Sequence, residues 1–158
     1  MNQQYLDILE DSLIKKNSIL DEIKKINDDQ KECLQRDDIE FEVFDTYIEK
    51  KTEYIEKLEF LDQGFESLYA RVEEELKENR EQYADQIRRM QQHIREITDK
   101  SASIQAQESR NRDLINSYFG KRRNEIKDGR RNSKAAMNYY KIQNNSAYSE
   151  ATFLDSKQ

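Results

Sequence analysis

The chain is 158 residues long, 35% hydrophobic and 38% charged, with no proline and three glycines. That balance is too polar for one compact core, and it suits long helices that each need only a stripe of apolar residues. One cysteine, Cys33, and one histidine, His93, exclude an internal disulfide and a Cys/His zinc centre, and they point to a reducing cytosol.

The formal net charge of −6 hides an asymmetry: residues 1–118 carry 18 basic and 29 acidic side chains, whereas residues 119–158 carry 9 and 4. An acidic body and a basic tail that behaves separately are expected. No apolar run exceeds a few residues and no charged-then-apolar leader opens the chain, so neither a membrane span nor a cleaved signal is expected.

In chain order, the first helix is predicted over residues 3–35, roughly 50 Å at ~1.5 Å per residue. Its heptad seam is Leu6, Leu9, Leu13, Leu20, Ile23 and Leu34, with Tyr5, Ile19, Ile26 and Cys33 widening it by one column. Lys16, Asn27 and Gln30 fall in the seam, where polar residues fix register and weaken packing.

Asp37 followed by Glu40 has the spacing of a capping box, so a second helix is predicted over 39–77. Its apolar positions are Phe41, Phe44, Ile48, Ile55, Leu58, Leu61, Phe65, Leu68, Val72 and Leu76. Gly64 inside that run costs ~1 kcal/mol relative to Ala, which predicts a bend or a close helix approach. From Glu73 to Gln82 only Leu76 is apolar, and Asn79 with Gln82 repeats the cap spacing, so a second turn is placed near residue 78.

The third helix, predicted over 80–120, carries Tyr83, Ile87, Met90, Ile94, Ile97, Ile104, Ile115 and Tyr118, interrupted by Ser101, Glu108 and Asn111. Three comparable striped helices on short links predict an all-α fold over residues 1–120: an elongated, up-down-up antiparallel bundle, monomeric or weakly dimeric. Beyond it, Gly120 and Gly129 flank a basic stretch of Lys121, Arg122, Arg123, Lys127, Arg130 and Arg131. Residues 121–158 are expected to be a partly disordered tail, with a short helix over 135–142.

Catalysis is not expected. His93 has no Cys, second His or activated Ser beside it, and Cys33 reads as a packed small hydrophobe. The acidic side chains alternate with Lys and Arg as a solvated surface does, and no metal or cofactor site emerges. The basic stretch suits a helix C-terminus or an acidic partner; nucleic acid is not expected, since the chain is acidic and lacks a reading motif. Leu114, Ile115 and Tyr118 lie within one and a half turns and Phe119 extends them, forming an apolar patch. The tail aromatics Tyr139, Tyr140, Tyr148 and Phe153 read either as exposed contact residues or as a modest extension of the bundle.

The stretch KTEYIEKLEFL from Lys51 to Leu61, the Ile87–Ile97 heptads leading into RNRDLI, and the terminal Tyr139, Tyr140 and TFLDSKQ together resemble the FlgN family of flagellar type III export chaperones. The resemblance implies a small cytoplasmic chaperone that holds an unpolymerised axial subunit, a hook-associated protein of the hook-filament junction, and delivers it to the export apparatus. It also implies that the C-terminal part engages the client's terminal helical region and that a C-terminal aromatic, matching Tyr139 or Tyr140, contacts the export gate. The residues assigned to client or gate binding on this basis are Leu114, Ile115, Tyr118, Phe119, Met137, Tyr139, Tyr140, Ile142, Phe153 and Leu154. Alternatives are a self-associating coiled-coil scaffold and a FliT-like chaperone for the filament cap.

Overall fold

The computed structural model describes residues 3–36, 39–121 and Tyr139. It contains three helices, α1 Gln3–Leu34, α2 Phe41–Glu78 and α3 Ala84–Lys121, and no strand among the described residues. At 38 residues each, α2 and α3 are about 57 Å long. None of the described helices is long and apolar enough to cross a membrane.

Side-chain pairs fix the helix directions. Lys16 of α1 meets Asp62 of α2, and Asn27 of α1 meets Lys51 of α2, so numbers rise along one helix as they fall along the other. α1 and α2 are therefore antiparallel. Glu10–Arg89, Asp21–Lys100 and Asp28–Gln107 each span 79 residues, which makes α1 and α3 parallel. α1 is the spine: it packs on both partners, most extensively on α3, while the backbones of α2 and α3 approach each other little.

The core follows the apolar stripes. Leu6, Leu9 and Ile23 of α1, Ile55 and Leu58 of α2, and Ile104 of α3 are at most 1% exposed. Each such side chain contributes ~1.5–3 kcal/mol on leaving water. Tyr5, placed beside the first seam, is instead 42% exposed, and Leu61 and Leu68 are half-buried.

Both helix breaks differ in chemistry from the sequence expectation. α2 starts at Phe41 with Glu40 as its N-cap residue, not at the third helical position the expected capping box requires, and the Glu40 side chain makes no cap hydrogen bond; Asp37 lies outside the described residues. Asn79 closes α2 rather than opening α3: its backbone N–H and its side-chain Nδ2 both donate to the Glu75 carbonyl, at 3.1 and 2.8 Å. The Asn79 amide thus folds back on the last helical turn as a second donor to that carbonyl, and the turn from Asn79 to Tyr83 delays α3 to Ala84. Gly64 neither ends nor interrupts α2, and a Cβ there would meet nothing within 4 Å. The short helix expected over 135–142 and the tail lie outside the described residues, Tyr139 excepted.

Candidate functional site

The residues that carry the sequence-level expectation converge where the C-terminal end of α3 meets the start of α2. Phe41 opens α2, and its ring stacks on Phe119 with centroids 5.9 Å apart and meets Tyr118 edge-on at 5.8 Å. Tyr118 and Phe119 are themselves 5.9 Å apart, closing a three-ring cluster. Aromatic pairs of this geometry contribute ~0.5–1.5 kcal/mol beyond burial. Ile115 is buried beneath the cluster at 4% exposure, whereas Leu114, Tyr118 and Phe119 are half-buried and lean on the core.

The predicted patch therefore divides. Ile115 is core; Leu114, Tyr118 and Phe119 keep surface that a partner can reach.

One to two turns before Ile115 on α3 the interior becomes polar. Lys51 of α2 is fully buried, and its ammonium donates to Asn27 Oδ1 at 2.9 Å and to Glu108 Oε1 and Oε2 at 3.0 and 3.2 Å. Asn111 Nδ2 donates to the Asn27 carbonyl at 3.0 Å, and Asn27 Nδ2 donates to Gln107 Oε1 at 3.1 Å. All three helices are thus joined through one buried layer. Burial pushes the Lys51 pKa down to about 8, against the attraction of Glu108, which pulls it up.

Tyr139 completes this layer. Its hydroxyl donates to Glu108 Oε1 at 2.6 Å, its ring lies under the Lys51 ammonium with 3.9 Å from nitrogen to centroid, and the residue is 1% exposed. A cation over an aromatic face that is shielded from water is the favourable form of that interaction. Of the two readings of the tail aromatics, the extension of the bundle holds at Tyr139, where a buried carboxylate offers its hydroxyl an acceptor. Met137, Tyr140, Ile142, Phe153 and Leu154 lie outside the described residues.

The Lys51 ammonium is enclosed and directs its hydrogen bonds inward, and burial raises the pKa of the Cys33 thiol, which disfavours its reactive form. Among the described residues no group of three or more His, Cys, Asp and Glu is placed to hold a metal.

The apolar stripe places Phe41 in the second helix's seam without linking it to the α3 patch, and Lys51 enters there only as the first residue of KTEYIEKLEFL, with no buried role. The signal for Lys51 was present, since it stands three residues after Ile48 and four before Ile55, where the stripe demands an inward side chain.

A family model described as FlgN protein matches residues 1–146. The match runs past α3 and through Tyr139, and it stops short of the TFLDSKQ segment. No curated protein and no solved structure matches the chain. A match over nearly the whole length is decisive: this chain belongs to the FlgN family, the flagellar export chaperones.

Proposed function

We propose that this chaperone works in the cytoplasm, where it binds the terminal amphipathic helical region of a hook-associated protein, blocks its premature polymerisation and hands it to the export apparatus. The observation that supports this reading best is the half-buried cluster of Leu114, Tyr118 and Phe119 with Phe41, set where the C-terminal end of α3 meets the start of α2. An amphipathic helix laid against it buries its own stripe and the cluster together, the helix-in-groove mode. Each Leu- or Phe-sized anchor contributes ~1.5–3 kcal/mol before ordering costs, so a few give micromolar, reversible binding suited to hand-over.

Tyr139 supports the site from inside by holding Glu108. The gate contact that the family likeness implies then falls to Tyr140, with Met137, Ile142, Phe153 and Leu154 as further contact residues.

The test is a titration of labelled C-terminal peptides, one from each hook-associated protein and one from the filament cap, against wild type and Leu114→Ala/Tyr118→Ala. We expect the double variant to stay folded by circular dichroism and to lose about tenfold in affinity per ~1.4 kcal/mol of contact removed, for one hook-associated peptide. Unchanged affinity for every peptide, with a large fall in melting temperature, overturns the assignment. Binding confined to the cap peptide moves the client to the filament cap.

A further inference from the structure

We propose that the outer face of α2 docks a second copy of this chain, antiparallel, with Phe60 of each copy seated on Gly64 of the other. Phe60 is 77% exposed, the largest exposure among the big apolar side chains of the described residues. Gly64 follows one turn later on the same face. It too is exposed, and a Cβ added there would meet nothing within 4 Å, so the space above it is open. A projecting ring and a recess one turn apart on one helix form a self-complementary pair. A two-fold axis between them places each ring over the other's recess, as an isologous contact requires.

The charges on the same face select the occupant and its direction. Seven residues before Phe60 stands Glu53, and seven after Gly64 stands Arg71; ten residues out stand Lys50 and Glu74. All four are exposed. In the antiparallel arrangement Glu53 of one copy faces Arg71 of the other, and symmetry makes the pairing twice, while Lys50 and Glu74 lie toward the rims of the face. A parallel arrangement instead sets Glu53 beside Glu53 and Lys50 beside Lys50, which repels. Such pairs contribute little affinity when solvated, but they fix register and orientation.

This contact lies apart from the cluster at the α3 end, since Phe60 is 19 residues beyond Phe41, about 28 Å along α2. It therefore does not rest on the client-binding reading. One helix against one helix buries less than the ~1,200 Å² typical of stable complexes, so the dimer is reversible and concentration-dependent.

Sedimentation of the full chain across the micromolar range tests the proposal. Wild type is expected to shift from monomer to dimer, and Phe60→Glu and Gly64→Leu are each expected to raise the dimer Kd by about tenfold or more while leaving the circular dichroism unchanged. Glu53→Arg is expected to weaken association, and adding Arg71→Glu to restore it. A wild type that stays monomeric throughout overturns the proposal, as does a dimer that Phe60→Glu and Gly64→Leu leave intact. A double charge swap that fails to restore association overturns the antiparallel register.

Discussion

Among the described residues two lysines point into this bundle, and they meet different fates. Lys16 of α1 pairs with Asp62 of α2, whose side chain remains 20% exposed. Lys51 of α2 is sealed at 0% exposure among Asn27, Glu108 and Tyr139 from three other parts of the chain. The pairs have the same chemistry, and the number of elements that close around them differs. Where two helices meet, water still reaches the acid; where three helices and Tyr139 meet, every hydrogen bond must be supplied by protein. The second pair is therefore costly to break and specific about what surrounds it.

The largest expected effect separates the two lysines most sharply. Glu108→Ala takes the carboxylate away from the buried Lys51 ammonium and is expected to destabilise by ~3–5 kcal/mol in urea unfolding. Lys51→Met combined with Glu108→Leu is expected to cost much less than the two single changes added together, because both charges leave at once.

A pH scan distinguishes them next. Folding lowers the Lys51 pKa from 10.5 to about 8, so between those values the unfolded chain binds the extra proton and stability rises with pH. The gain of wild type relative to Lys51→Met is expected to appear only above about pH 8, at no more than ~1.4 kcal/mol per pH unit. Asp62 runs in the opposite sense. Burial, the larger influence, raises its pKa above 3.8 against the pull of Lys16, so the folded chain holds the extra proton and stability falls as pH rises through that window. Asp62→Asn is expected to remove this acid-side slope.

Tyr139→Phe keeps the ring under Lys51 and deletes the donor to Glu108, which is expected to cost ~1.5–3 kcal/mol, as charged hydrogen bonds do. A melting temperature equal to wild type would place Tyr139 outside the cooperative core. The smallest effect is expected from Lys16→Ala, ~1 kcal/mol or less, because its partner is already partly solvated. A loss as large as that of Glu108→Ala would erase the distinction.

The three stripes and the two breaks were legible because helical period forces apolar residues onto one face, whatever the partner. The side chain that serves each break was not. Asn79 and Gln82 have cap-like spacing, but whether an Asn amide closes the helix before it or opens the one after depends on which carbonyl lies in reach, and Glu75 does. In the site, Leu114, Ile115 and Tyr118 were legible as neighbours along one helix. Phe41 joins them only through the antiparallel pairing of α2 with α3, which no local pattern reports. Lys51 reads as a solvated charge by residue type, and its burial depends on Glu108, 57 residues away. Tyr139 sits where periodicity has decayed, so its place in the core is set by an acceptor on another element rather than by its own neighbours.

The central position of α1 also sets the order in which the chain can become complete. Its partner α2 follows directly and folds back through a short connection, so that seam closes locally. Its seam with α3 joins residues 79 apart and must wait until all of α2 has been made and reversed. Contacts of such long sequence separation slow folding, since loop closure precedes their reward. During synthesis one flank of α1, with Asn17 and Asn27 among its residues, stays uncovered until α3 arrives. Of the three helices, the one made first is thus the last to be fully buried.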